Sequence, residues 1–163
     1  MDVKVALLGQ YQAGLAMLRN CIEVCPDDAW RAGSHPRTFW RIVYHATFYT
    51  HLYLAVDYES FQPWEKHCWH GPVLWDDGKH DAPPVETTYT QAELLEYVAF
   101  VEANLEGWLR EMDLEAQTSG FSWYSVPKLD HQFVNLRHLG VHIGQLQERL
   151  MEQRIETEWV GNG

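Results

Sequence analysis

The stretch 135–150, NLRHLGVHIGQLQERL, decides the fold. Within it and just beyond, Leu136, Leu139, Gly140, Ile143, Leu146 and Leu150 recur at steps of three and four, the period of one face of an α-helix. The spacing predicts a helix from about His131 or Val134 to Glu156. On the flank of its apolar stripe stand His138 and His142, four residues apart. Residues so spaced rise ~6 Å along the axis and turn ~40° past one full turn, so both imidazoles can address one ligand.

Three more helices are predicted upstream. Val3, Leu7, Tyr11, Leu15 (or Gly14), Leu18 and Ile22 give the first, over 3–24, which Pro26 ends. The second, from about Thr38 to Tyr58, carries Ile42, His45, Ala46, Tyr49, Leu52, Tyr53 and Val56 on a single face, so a histidine lies on its inward stripe. The third opens at Thr90-Gln-Ala-Glu93, a capping box, and continues through Leu94, Val98, Val101, Leu105, Trp108 and Met112. Four amphipathic helices without an alternating strand pattern predict an all-α protein, a four-helix bundle in one domain spanning 1–163.

The first two helices are joined by the short loop CPDDAWRAGSHP, the second and third by a connection of roughly thirty residues that permits a crossover in place of a hairpin. That connection holds Phe61, Trp64, Trp69, Trp75 and Tyr89, more apolar surface than a free linker carries. It is expected to pack over the bundle, either walling a pocket or simply covering core.

A net charge of −11 with scattered basic residues disfavours nucleic acid as a partner. No run of eighteen apolar residues suggests a membrane span, and MDVKVALLGQYQAGLAML lacks the marks of a signal peptide, so the cytoplasm is the expected location. Cys21, Cys25 and Cys68 form an odd set, read as reduced thiols. Homodimer formation is compatible with a soluble bundle. Phosphate loops, nucleophile elbows and dinucleotide fingerprints are absent from the sequence.

Nine histidines in 163 residues produce some H-x-x-x-H pairs by chance. Three inward or flank-facing histidines on two helices are a different matter, since each would need its own partner in the core and one divalent cation serves all three. His45, His138 and His142 are therefore the candidate ligands of one zinc, nickel or iron ion, with at least one coordination position left for water or substrate. Position 139 is Leu where a metalloprotease H-E-x-x-H motif has its general base, which disfavours peptide hydrolysis of that kind. His67, Cys68 and His70 in KHCWHG are a weaker ligand set without a second pair at zinc-finger spacing. Asn135, Gln145 and Arg149 share the side of the last helix that carries the two histidines; they either orient the ligands and meet substrate or stand as partly solvated flank residues. Tyr49, one turn beyond His45, is a candidate proton donor or a core aromatic.

His45 within FWRIVYHATFY, the pair within NLRHLGVHIGQL and the long second connection together resemble the DinB-like metal-binding four-helix bundles, over essentially the whole chain. The His-x-x-x-His-x-Gly-Gln-Leu segment, His138 to Leu146, is the most specific part. The resemblance implies an up-down-down-up bundle with a divalent metal on His45, His138 and His142. It also implies kinship with transferases of low-molecular-weight thiols such as bacillithiol or mycothiol, and with a thiol-dependent isomerase. Ile143 stands where many such proteins have Arg, so the role of a basic group there does not carry over. The expected function is metal-dependent thiol S-transfer onto a small electrophile, or a related metal-assisted reaction. The alternatives are a non-catalytic metal or small-ligand binding protein, and an interaction module whose histidines are core residues.

Overall fold

A computed structural model describes residues 2–75 and 88–163. It contains five helices and no strand among those residues: α1 (Val3–Glu23), α2 (Asp27–Trp30), α3 (Phe39–Leu54), α4 (Gln91–Glu111) and α5 (Lys128–Glu152). Among the described residues the chain is all-α, as expected. The short α2, which sits within the first loop, carries no amphipathic period and was not expected.

Local chemistry sets the boundaries. The Asp2 side chain accepts from the Lys4 amide at 2.9 Å and starts α1. Thr90 and Glu93 form the expected capping box on α4, with the Thr90 amide donating to Glu93 Oε2 at 2.8 Å and the Glu93 amide donating to Thr90 Oγ1 at 3.2 Å. The second predicted helix stops at Leu54, four residues before Tyr58, because Ala55 is extended and Asp57 captures the Ser60 amide at 2.7 Å in a turn. The last helix starts at Lys128, a turn early, and ends at Glu152, before the left-handed Arg154. Its first turns escape an apolar-period reading because the inward residues there are polar.

Those inward residues are Lys128, His131, Gln132 and Asn135, all buried. Gln132 and Asn135 donate to the backbone of α3, and Lys128 to the chain beyond its end. Gln132 Nε2 donates to the Tyr53 carbonyl at 3.0 Å and Asn135 Nδ2 to the Thr50 carbonyl at 3.1 Å. The Lys128 ammonium donates to the Val56 carbonyl at 2.6 Å, to the Ala55 carbonyl at 3.4 Å and to the Ser119 carbonyl, closing the orphan end of α3. Leu139, Ile143, Leu146 and Leu150 then supply the apolar remainder of the same face, each ~1.5–3 kcal/mol of transfer free energy. Leu136 and Gly140, expected on that stripe, are respectively half-buried and exposed.

α1 packs on α4 and α5, and α3 packs on α4, α5 and α2. Lys4 Nζ donates to the Arg110 carbonyl at 2.7 Å, and Gln91 Nε2 donates to the Ile22 carbonyl at 3.0 Å, joining opposite ends of α1 and α4. Tyr11 donates its hydroxyl to Gln132 Oε1 at 2.8 Å across α1 and α5.

α3 departs from the single-faced helix expected of it: fifteen of its sixteen residues are buried and Tyr49 alone is not. The cause is the connection after it, which covers the outer side. Trp64 stacks on Tyr97 with centroids 4.5 Å apart and 5° between planes, and Arg41, itself 2% exposed, donates to the Gly71 and His70 carbonyls at 3.3 and 3.1 Å. Gly71 is required there, since a Cβ would lie 2.5 Å from Tyr44 Cε1. None of the described helices is long and apolar enough to cross a membrane.

Two stability effects follow. Lys128→Met removes the ammonium from three carbonyls and is expected to lower unfolding stability by about 1–3 kcal/mol in urea titration; an unchanged midpoint would show that the cap contributes nothing. His131 is fully buried with no protein group bonded to either ring nitrogen, and burial together with the Lys128 ammonium pushes its pKa down to about 4. The unfolded chain, with a histidine pKa of about 6.5, then binds the proton first. Stability contributed by neutral His131 is present above that value and is lost as pH falls towards about 4. His131→Leu should therefore flatten the loss of stability between pH 7 and pH 4, read by thermal melts across that range.

Candidate metal centre

The antiparallel run of hydrogen bonds from Gln132 to Asn135 along α3 brings the next turns of α5, His138 and His142, opposite His45. His45 Nε2 lies 2.9 Å from His138 Nε2, and His142 Nε2 lies 3.1 Å from the same atom. All three ligand atoms fall within 4.8 Å of one another, close enough to hold one ion. Nitrogens ~2.0–2.1 Å from a tetrahedral zinc are about 3.3 Å apart, so little adjustment is needed. Among the described residues this is the one group of three or more such side chains.

Hydrogen bonding sets which nitrogen faces inward. His45 Nδ1 is 2.5 Å from the Pro72 carbonyl, which can only accept, so Nδ1 carries the proton and Nε2 presents its lone pair. His142 Nδ1 donates to Gln145 Oε1 at 2.9 Å, and Arg37 donates to the same oxygen at 3.2 Å, which identifies it as the acceptor. Two bare lone pairs therefore converge on His138 Nε2, which holds at most one proton to share between them. Neutral imidazoles alone leave one of the two contacts repulsive. A cation at the centre satisfies all three, so the donor set fits a divalent metal.

Electrostatics keep the ligands ready. Burial, followed by the His142 ring, pushes the His45 pKa down to about 2, and the same causes take His138 to about 4. His142 is lowered by burial too. At neutral pH no proton has to be displaced from any of them before an ion binds.

His45 and His142 are 5% and 7% exposed, whereas His138 is partly open. His45 and His138 form the end of a cavity of about 650 Å³ whose wall includes Tyr49, Tyr53, Tyr58, Trp69, Trp75 and Trp123. Tyr49 lies beside the centre, its ring centroid 4.6 Å from that of His45 and 5.4 Å from that of His138. Burial raises its pKa, so it is a neutral phenol that can donate and not a base. Of the flank residues, Gln145 contacts His142, and Arg149 donates to the Arg37 carbonyl at 3.0 Å. Asn135 is fully buried and spends its amide on Thr50, away from the cavity.

The loop KHCWHG gathers no ligand set. Tyr44 bonds His67 Nδ1 at 2.6 Å and accepts the Cys68 amide at 3.1 Å, anchoring the loop to α3. Cys21 and Cys25 are buried free thiols whose pKa values burial pushes up to about 12, which leaves them protonated. Sequence reasoning missed Pro72, Arg41 and Arg37. A backbone carbonyl leaves no trace in a sequence, but Arg41, a charge inside the apolar run FWRIVYH, was a readable sign of a buried polar anchor.

No protein-family model, no curated protein and no solved structure matches this chain.

Proposed function

We propose that the chain is a divalent-metal-binding protein of the DinB-like kind that performs metal-dependent S-transfer from a low-molecular-weight thiol to a small electrophile. The observation that supports it most is the convergence of three imidazole Nε2 atoms, two of them held as lone pairs by acceptors on the far side of the ring. His45, His138 and His142 would hold the ion. A bound divalent ion with an open position deprotonates a coordinating thiol at neutral pH and so supplies the nucleophile.

The chain's own groups do the rest. Pro72 fixes His45, and Gln145 with Arg37 fixes His142, so neither ring can turn its protonated nitrogen inward. The aromatic wall makes the approach to His45 and His138 largely apolar. Tyr49, its ring 4.6 Å from that of His45, would be the proton donor to a departing group. In the same reading the four long helices form an up-down-down-up bundle, supported by the pairs Lys4–Arg110 and Ile22–Gln91, which oppose α1 and α4, and by Tyr53–Gln132 and Thr50–Asn135, which oppose α3 and α5.

A second reading, binding of a metal or small ligand without turnover, has one observation in its favour: no carboxylate or lysine among the described residues lines the cavity.

Stoichiometry tests the centre. Protein purified without an affinity tag should carry or take up close to one divalent ion per chain by elemental analysis. Removing a supporting group, Gln145→Ala, should weaken affinity by ~10–100-fold, and each of His45→Ala, His138→Ala and His142→Ala by more. His67→Ala should leave affinity unchanged, as should His70→Asn, chosen because His70 has a left-handed backbone (φ 69°) that Asn tolerates. Equal losses from the loop variants would move the site to KHCWHG.

Cobalt tests the transferase. Substituted Co²⁺ should give visible ligand-field bands, and a low-molecular-weight thiol should add a saturable near-ultraviolet sulfur-to-metal charge-transfer band that His142→Ala abolishes. The matching thioether, which cannot form a thiolate, should give none. A cobalt spectrum unmoved by several biological thiols would reject S-transfer and leave the non-catalytic reading.

A further inference from the structure

The cavity that ends at His45 and His138 has a wall of unusual composition. Tyr49, Tyr53, Tyr58, Trp69, Trp75 and Trp123 contribute to it, and no Asp, Glu, Lys or Arg does among the described residues. Its rings meet at steep angles. Tyr58 and Trp123 are 5.4 Å apart at 75°, and Tyr53 and Tyr124 are 5.6 Å apart at 84°. Trp123 Nε1 donates to the Tyr53 hydroxyl at 3.4 Å, which ties the outer wall to α3. Tyr58, Trp69 and Trp75 are each more than half exposed. Large aromatic side chains around a concavity gain by covering that surface with another ring, in offset or edge-to-face contact.

Size and charge narrow the occupant. About 650 Å³ is room for a drug-sized molecule and far exceeds a lone ammonium group. Among the described lining residues an anionic body would find no cation, and on the metal-binding reading a cationic body would approach the charge of the ion. The polar groups that the described lining residues offer are phenol hydroxyls, indoles and two imidazoles, without a carboxylate or an ammonium.

We propose that this cavity binds an uncharged aromatic small molecule. Naming that molecule as the electrophile rests on the thiol-transfer reading above, and its preference over a cation rests on the metal reading; the binding of an aromatic ring rests on neither. The wall supplies the recognition, with faces and edges of Tyr and Trp against the ligand ring, and the part of the cavity lined by His45 and His138 receives the reactive part.

Matched probes test it by isothermal titration calorimetry: neutral 2-naphthylmethanol and its cationic counterpart (2-naphthylmethyl)trimethylammonium, against the full chain with zinc added and after metal stripping. The neutral probe should bind at least about tenfold more tightly than the cation with zinc present. It should keep its affinity within about threefold when the metal is stripped. Trp69→Ala and Trp123→Ala, both at the rim, should each weaken the neutral probe about tenfold, and circular dichroism shows whether each variant is folded. Intermolecular nuclear Overhauser effects from naphthyl protons to Tyr and Trp rings of the unaltered protein give a second readout that needs no variant. Tighter binding of the cation would overturn the proposal in favour of an ammonium cage. Failure of the neutral probe to bind, or binding indifferent to both tryptophans, would overturn it outright. Failure of the metal reading is seen separately, as absence of zinc uptake, and leaves the probe result standing.

Discussion

Donors carried into the core by α5 and accepted by the carbonyls of α3 set the register on which everything else depends. An apolar stripe can slide along its partner by a turn, ~5.4 Å, and still bury leucines. Gln132 on the Tyr53 carbonyl and Asn135 on the Thr50 carbonyl cannot slide, because a shifted helix leaves two buried amides unpaired at ~1–3 kcal/mol each. With Lys128 fastened to the end of α3, the next turns of α5 have one place to go, and that place puts His138 and His142 against His45. The polar half of the interface fixes where; the apolar half, Leu139 to Leu150, fixes how tightly.

Burial of α3 on all sides makes the loop after it part of the site. Arg41 reaches out of the helix to the His70 and Gly71 carbonyls, and the chain so held delivers the Pro72 carbonyl to His45 Nδ1. A guanidinium at 2% exposure is an expensive anchor, and burial lowers its pKa. It is tolerated because its donors are paired, with the Gly71 and His70 carbonyls. The tautomer of one candidate ligand thus depends on a segment more than twenty residues further along the chain.

The helices were legible where apolar period and capping chemistry coincided: α1, and α4 from its capping box at Thr90, match to within a residue or two. They were misread where burial was polar. Lys128, His131, Gln132 and Asn135 look like a solvated face by composition, so the start of α5 was placed a turn too late and Asn135 was assigned to the flank. The three histidines were legible because helical spacing and the inward stripe are sequence properties, and the structure brings them within 4.8 Å. The aromatic loop was legible as packing material, but that Trp69, Trp75, Trp123 and Tyr58 from separated segments share one cavity with His45 was not, since no local pattern encodes an encounter between the second connection and the 121–127 turn.

The choice of three imidazoles has an electrostatic consequence. Carboxylate or thiolate ligands cancel the charge of a divalent ion, whereas neutral rings leave it whole, and here it would stand against an aromatic wall that screens poorly. Leu139 stands where a general base would be and Tyr49 is held protonated, and among the described residues no carboxylate or lysine lines the cavity to take a proton from an incoming nucleophile. On the proposed reading, an acid reacting at this centre would lose its proton through the field of the ion. On the same reading a thiol, with an ordinary pKa of about 8.5, would need a smaller shift from such an ion than water at about 15.7, which zinc on three imidazoles brings to about 7, so both come within reach of the centre and the thiol is the nearer.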